Sequence, residues 1–289
     1  MDRLSEATFE RLPATVRRPA YRRQDLGCGI VHLGVGAFHR AHQGVYTELA
    51  LEGAFGPWGI CGVSLRRPET RDRLAPQNGL YTVVERDGAA RLQVIGCVEQ
   101  LLVAPEDPAA VVERIAAPAT AIVSLTVTEK GYCHNPASGQ LDWTHADVRH
   151  DLAEPLRPRS AVGTLVAGLA RRRKRQIGPP TIMSCDNLPA NGQTLRGLAI
   201  ALAARRDEAL GRWIEAEVAF PCSMVDRIVP ATTAADIAQV DAALGVHDAA
   251  PVVCEPFRQW VIEDRFAGPR PAWELAGAEL SPMSRPMRR

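Results

Sequence analysis

The sequence predicts an α/β fold: a doubly wound, mainly parallel sheet that carries a β-hairpin insertion. Three stretches predict it. Cys28 to Gln43 passes from an apolar strand through a glycine turn into a helix, and Trp58 to Ser64 supplies a second buried strand after that helix. The β-branched run Ala121 to Val127 then reads as a central strand that follows a further helix. Crossovers of this kind place their strands parallel.

At 289 residues, 46% of them apolar, the chain can fill one large domain or two ordinary ones. Its 34 Lys and Arg nearly cancel 33 Asp and Glu, so no net field directs it to nucleic acid or an anionic membrane, and small-molecule chemistry is the better expectation. The seven cysteines are odd in number and never form a C-x-x-C pair, which argues against a disulfide framework or zinc ribbon and predicts reduced, mostly buried thiols. No apolar run approaches membrane-spanning length. The N-terminus, with Asp2, Glu6 and Glu10 among its arginines, lacks a signal-peptide core, so the cytoplasm is the expected location.

Residues 1–26, polar and arginine-rich, are expected to drape over the domain as an N-terminal extension. In the glycine stretch, Ile30, Val31 and Leu33 form a buried run, Gly34 and Gly36 give a tight turn, and Ala41, Val45 and Leu49 recur at helical spacing. Free N–H groups and the positive dipole end at the helix mouth suit an anion. Gly34, Gly36, Ala37, Phe38 and His39 are therefore expected to contact a dinucleotide pyrophosphate, with Arg40 as a second clamp. His39 stands where the usual fingerprint has a third glycine, and a tight turn with no ligand is the alternative. His39 and His42 could share a helix face as metal ligands, but no third ligand is near in sequence and no metal is expected.

Ser64-Leu65-Arg66-Arg67 ends the second strand, where a dinucleotide protein places an acid for a ribose hydroxyl or an arginine for a 2′-phosphate. No acid stands there, and Glu69 and Asp72 come late. Arg66 is taken as a cofactor contact, two solvated arginines being the alternative. Tyr81 to Ile95 alternates about Asp87-Gly88, a hairpin signature. A helix over Glu106 to Ala116 leads into the central strand. Beyond that strand's carboxyl end Thr128, Glu129 and Lys130 are candidate site residues, with a solvated loop as the alternative.

Ser160 to Arg175 reads as a helix whose basic end, Arg171 to Arg175, complements the dipole before Gly178-Pro179-Pro180 stops it, so this run is structural rather than nucleic-acid-binding. Thr181 to Cys185 is a further inner strand ending in Asp186-Asn187. A helix follows from Gly192 to Arg205, with Leu195, Leu198, Ala199 and Leu202 on one face. Phe220 to Pro230 reads as a shaped loop between prolines, and 281–289 as a disordered tail.

Four blocks in order, Gly34 to Gln43, Ser124 to Tyr132, Met183 to Asn187 and Phe220 to Ile228, closely resemble the mannitol dehydrogenase and fructuronate reductase family of polyol-specific long-chain dehydrogenases. The likeness runs from Gly29 to Leu280, through Glu255 to Asp264 and Ala272-Trp273-Glu274. The resemblance implies a Rossmann domain over 27–210 that binds NAD, with NADP not excluded, and the start of a mainly helical substrate domain over 211–280. It implies metal-independent hydride transfer between the nicotinamide and a sugar alcohol or hexuronate, of the mannitol 2-dehydrogenase or D-mannonate oxidoreductase type. It also implies that the Asn187 amide holds the reacting oxygen and that Asp226 lies in the substrate site. Such a donor is worth about 3 kcal/mol of barrier. A turn role for Asn187 and a pairing of Asp226 with Arg227 are the alternatives.

In the family a general-base lysine and an Asn-x-x-His motif follow the segment matched by Gly277 to Leu280, whereas here Ser281 to Arg289 follows it. The expectation is a C-terminally truncated member with impaired turnover. A nucleotide-binding module without turnover is the alternative from another class. An S-adenosylmethionine methyltransferase would share the glycine turn but not the later blocks. The sequence does not fix the oligomeric state.

Overall fold

The computed structural model describes residues 1–135 and 137–282. Strand β1 (Ile30–Leu33) leads through the glycine turn into α1 (Ala37–Ala41) and α2 (Gln43–Gly53); β2 (Ile60–Ser64) returns beside it. Next come α3 (Glu69–Leu74), the hairpin β3 (Tyr81–Asp87) and β4 (Ala89–Ile95), β5 (Val98–Val103), α4 (Pro108–Ala116) and β6 (Ile122–Leu125). Then follow α5 (Thr128–Gly131), α6 (Ala146–Ala153), α7 (Ala161–Lys174), β7 (Thr181–Ser184), α8 (Asn191–Arg206) and α9 (Glu208–Glu217). The last elements are β8 (Ser223–Asp226), α10 (Ala234–Leu244), β9 (Val252–Cys254), β10 (Gln259–Glu263) and β11 (Glu279–Ser281).

The predicted sheet is present, with order β5-β2-β1-β6-β7 and every pairing parallel. Its centre is β1, with Ile30 opposite both Ile60 and Ile122. One face packs Val31 and Leu33 against α4, α7 and α8; the other packs Ile30 and Ile60 against α2 and against elements from beyond residue 218. The edge strand β5 escapes a sequence reading because Glu99 and Gln100 interrupt its apolar pattern. Helix α4 starts at Pro108, two residues later than expected, because Asp107 caps it by accepting from the Ala110 N–H. The basic end of α7 is absorbed into packing. Arg172 is buried and donates to the carbonyls of Ile115, Ala117, Thr120 and Gly178, while Arg171 and Arg175 pair with Glu113.

Four expectations change. The single helix after the glycine turn is split at His42 (φ −113°, ψ −88°), and α2 is buried almost all round, with Leu49 only half-buried rather than part of a buried stripe. Its second cover comes from residues 218–281, where the Trp273 Nε1–H donates to Thr47 Oγ1 at 3.1 Å. Within the expected loop of 220–230 runs β8, antiparallel to β10, which pairs parallel with β11. Beside α10 and the end of α9, the described part of 211–280 holds short strands that complete sheets and share a core with α2: Val225, Trp260, Ile262 and Trp273 pack with Val45 and Tyr46. The N-terminal extension is likewise a core component: Leu4, Leu12 and Val16 are buried with Val84, Val94, Val240 and Leu244. Ser281 ends β11, so the expected tail starts inside a strand, and its remainder, 283–289, lies outside the described residues.

The hairpin forms about Gly88 (φ +70°) and gains β9 as a parallel third strand on β3. Six of the seven cysteines are buried and none is paired. No helix among the described residues is long and apolar enough to cross a membrane.

Three buried histidines make stability depend on pH. Burial pushes His32 down to about 3, His42 down to about 4 and His39 well below the ordinary 6.5, with Arg40 beside His39 and Arg227 and Arg258 facing His42 adding to the effect. They stay neutral when folded and take up protons once unfolded, so their contribution is present above pH ~6.5 and is lost as pH falls toward the folded values. Glu48, buried and pushed up to about 7, acts oppositely over a narrower window and offsets one proton. Melting temperature should therefore fall between pH 7 and pH 5, and His39→Leu should flatten that slope by about one proton. Thermal unfolding followed by circular dichroism across this range checks both; a flat wild-type profile would contradict the burial argument.

Candidate functional site

A cleft of about 300 Å³ opens at the carboxyl ends of β1, β2 and β6, lined by the Gly34–Gly36 turn, Arg66, Arg67, Thr126 and Arg159 among others. This is where an open α/β sheet accepts a ligand. A neighbouring hollow of about 560 Å³ shares Leu65, Arg66 and Arg159 with it.

The two glycines do different work. Gly34 has φ +100°, and a Cβ there would lie 2.2 Å from the Thr126 carbonyl oxygen; the fold itself demands glycine. Gly36 has φ −85°, and a Cβ built on it meets nothing nearer than the Gly34 oxygen at 3.8 Å. Its missing side chain leaves open space in the cleft instead of relieving a clash. As the N-cap of α1, Gly36 offers no side-chain cap, so the amides of Ala37, Phe38 and His39 lack helical acceptors. An open cradle beside unpartnered amides, with no carboxylate among the residues lining the cleft, fits the diphosphate of a dinucleotide.

Behind the turn lies a buried polar seam. His32 Nδ1 is 2.7 Å from Ser124 Oγ and its Nε2 2.7 Å from Thr126 Oγ1. Ser124 donates to Gln43 Oε1 at 2.8 Å, so the His32 Nδ1–H donates to Ser124. The single Thr126 hydroxyl proton is shared between the two acceptors it faces, His32 Nε2 and the Gly34 carbonyl, the latter at 2.9 Å.

Two expected contacts belong to this interior rather than the cleft. His39 is fully buried and stacks on His32 with ring centroids 3.5 Å apart, so its ring does not reach a pyrophosphate. Arg40 is also buried: its guanidinium donates to the Ala250 carbonyl and lies 5.2 Å over the Tyr81 ring, so it cannot act as the second clamp. The physical reason is the second cover over α1 and α2, which turns positions expected at the surface into core. Phe38, half-buried, stacks on His42 at 5.0 Å, and the His42 Nε2 meets the Gln259 carbonyl at 2.8 Å. The two histidines thus face different partners rather than a shared metal. Ala37 is half-buried at the helix mouth.

Thr128, Glu129 and Lys130 are exposed on the rim, while Thr126, Val127 and Gly131 line the cleft. What fixes this loop is Asp186, which the sequence reading passed over beside Asn187. Its carboxylate accepts from the Val127 N–H at 3.0 Å, the Thr128 N–H at 2.9 Å and the Tyr132 hydroxyl at 2.7 Å, holding Thr128 at φ +63°. Burial nonetheless raises its pKa above the ordinary value. Asn191 is a second missed residue; its side chain bonds the carbonyls of Ser184, Asp186 and Ser223, placing the start of β8 against the end of β7. The signal available was its position opening the helix that follows the loop after a strand end.

Asn187 is exposed beyond β7, and among the described residues its side chain has no hydrogen-bond partner. Asp226 is exposed at the end of β8. It is not Arg227's partner: that guanidinium is buried and donates to the Glu85 carboxylate and to the carbonyls of Ala41 and Glu255. Arg66 pairs with Asp147 at 2.8 Å. Cys133, His145 and Asp147 bring ligand atoms within 4.8 Å of one another, but Asp147 is engaged by Arg66 and burial pushes the Cys133 thiol up to about 11, so no metal is assigned there.

Asp186→Ala should strand two loop amides and lower stability by about 2–3 kcal/mol, and Gly34→Ala should cost at least as much through its clash. Urea unfolding of both variants measures this. Wild-type stability in Gly34→Ala would contradict the geometry of the turn.

The comparisons agree with this architecture. Residues 28–275 match the family model described as the mannitol dehydrogenase Rossmann domain. An uncharacterized oxidoreductase, YeiQ, of Escherichia coli K12 is 48% identical over 93% of this chain and 56% of its own length. The D-mannonate oxidoreductase of the same organism is 46% identical over 92% of this chain and 56% of its own. The structure of Pseudomonas fluorescens mannitol 2-dehydrogenase in ternary complex with NAD and D-mannitol superimposes with a TM-score of 0.94 and 42% identity, over 97% of this chain and 58% of that one. The chain thus spans little more than half the length of these relatives. On the family match and on these identities, the chain belongs to the mannitol dehydrogenase family and carries its Rossmann domain.

Proposed function

We propose that the chain binds a nicotinamide dinucleotide in the cleft above Gly34–Gly36, and that the function it serves is hydride transfer between that cofactor and a sugar alcohol or hexuronate. The observation that carries the reading is the Gly36 cradle beside three unpartnered amides at the carboxyl ends of parallel strands. The relatives named above, a mannitol 2-dehydrogenase and a D-mannonate oxidoreductase, support the substrate class. When bound, the nicotinamide would supply or accept the hydride.

The chain's own residues do the rest. Gly34 and Gly36 let the backbone approach the diphosphate, and Thr126 and Val127 wall the cleft on a loop that Asp186 holds. Asn187, one residue beyond Asp186, offers an amide N–H to the reacting oxygen, which gains negative charge as hydride reaches the carbonyl carbon. Asp226 orients the substrate by accepting hydroxyl protons. Residues 27–210 act as the cofactor-binding unit in this reading, and 211–280 as the approach to the substrate side.

Gly36→Val should change stability by less than about 1 kcal/mol, since φ and space both tolerate it, while abolishing NADH and NADPH binding. Fluorescence titration of both proteins tests this; equal binding by mutant and wild type would remove the cradle from the site. In the chain joined after Leu280 to the C-terminal portion of a relative, Asn187→Ala should lower turnover of fructose or fructuronate by roughly 10²-fold. The measurement is NADH or NADPH loss at one wavelength.

A further inference from the structure

On the face of the central sheet away from α2, the helices α6, α7, α8 and α9 surround a hollow of about 540 Å³. It shares no lining residue with the dinucleotide cleft or the hollow beside that cleft. It lies at the far end of α8 from Asn191, about 24 Å away along a helix of 16 residues. We propose that this hollow binds a phosphate monoester with a compact apolar body, its phosphate held by Arg206 and Arg205. The proposal is independent of the dinucleotide reading.

The first observation is a cation without a partner. Arg206 is half-buried in the last turn of α8 and, among the described residues, makes no hydrogen bond or ion pair. Every other half-buried or buried arginine donates to a carbonyl or a carboxylate. Withdrawing a guanidinium from water without an acceptor is costly, and burial holds Arg206 below its ordinary pKa. The nearby carboxylates are already engaged. Asp151 attracts Arg206 but accepts from the amides of Arg159 and Ser160 and from the Ser160 hydroxyl. Asp207 pairs with Arg173 and caps α9 by accepting from the Ala209 N–H. The negative dipole end of α8 favours a cation here, but the exposed Arg205 meets that need without any burial.

The second observation is the shape and lining of the hollow. Its volume falls within the range of small-molecule sites, roughly 300–1,000 Å³. Leu152, Pro155, Ala170 and Leu210 give it an apolar wall opposite the arginines. Arg205, like Arg206, makes no hydrogen bond or ion pair among the described residues. Because Arg173 cancels Asp207, the charges of Arg205 and Arg206 are left over. A phosphate monoester carries about −1.5 to −2 at neutral pH and offers three acceptor oxygens to two planar forks. Its carbon body would cover the apolar wall, which inorganic phosphate leaves wet.

Isothermal titration of the 289-residue chain with phenyl phosphate, inorganic phosphate and benzoate tests the proposal. Phenyl phosphate should bind roughly tenfold tighter than either of the others, because it alone brings both a dianion and an apolar body. Arg206→Leu should weaken it by roughly tenfold or more and Arg205→Ala by several-fold, whereas Arg67→Ala, in the dinucleotide cleft, should leave it unchanged. Thermal melting separates this from a structural role. Without ligand, Arg206→Leu should melt no lower than wild type, and phenyl phosphate should raise the melting temperature of wild type alone. Unchanged affinity in both Arg206→Leu and Arg205→Ala would overturn the proposal, and so would inorganic phosphate or benzoate binding as tightly as phenyl phosphate. Loss of binding in Arg67→Ala instead would put the anion in the cleft and overturn it as well. Arg206→Leu melting well below wild type would assign Arg206 to the fold and overturn its role. A folded wild-type chain that binds none of the three would overturn the site and leave the dinucleotide reading intact.

Discussion

The cleft depends on a polar seam inside an otherwise apolar sheet. His32 sits in the middle of β1, buried on the central strand, with Ser124 opposite it on β6 and Thr126 just beyond. A buried polar side chain costs several kcal/mol unless bonded, so this trio fixes the register of β1 against β6 more tightly than apolar contacts would. A slip by one residue would strand His32 and invert both faces of the strand. Thr126 then extends the seam to the Gly34 carbonyl, so the register and the shape of the glycine turn are set together. Asp186 continues it from β7 by holding the next two amides of the same loop.

A second constraint is the burial of α2 from both sides. A surface helix needs one apolar stripe; α2 buries Gln43, Thr47 and Glu48 as well as Val45 and Leu51. Each polar one is answered from outside the helix. Thr47 accepts from Trp273, Gln43 from Ser124, and Glu48 accepts from the Tyr21 hydroxyl and the amides of Gly96 and Cys97. Arg227, its side chain wholly buried, ties the end of α1 to Glu85 and Glu255. Residues from beyond 218 therefore share one core with α2 and the central sheet, and the family's Rossmann match likewise continues to residue 275.

Legibility in the sequence followed from this division. Strands β1, β2, β6 and β7 were readable because they are short, buried, mostly apolar runs, and the hairpin because Asp87-Gly88 is a local turn signal. Strand β5 was not, since an edge position tolerates Glu99 and Gln100, nor was β8, whose polar residues between prolines look like a loop until β10 pairs with them. Gly34 was found because its backbone conformation demands glycine, and Gly36 because a glycine pair between a strand and a helix is a recognisable motif. His39 and Arg40 were misplaced because a one-stripe model of the helix puts them near the ligand, and only the tertiary cover from 218–281 shows them to be interior. Asp186 was overlooked because its acceptors' partners, Val127 and Thr128, lie 59 and 58 residues away in sequence.

The same distinction bears on chemistry. Asn187 is exposed but not loosely placed: the residue before it is held by three donors, and the Asn191 side chain pins the Asp186 carbonyl at 2.9 Å. Its amide is thus carried on backbone whose position is set by the sheet, which is the kind of preorganisation that lets one donor lower a barrier. Orientation alone does not deliver that effect. In open solvent the amide competes with water, and the gain appears only where the reacting oxygen is shielded. Close to Asp226 and to its strand partner Gln259 in sequence, Ile228 and Phe257 are 65% and 53% exposed. Placement of the polar groups and exclusion of water are therefore separate requirements: the sheet and Asp186 meet the first for Asn187, and under the proposed function the second requires that Asn187 and Asp226 be covered.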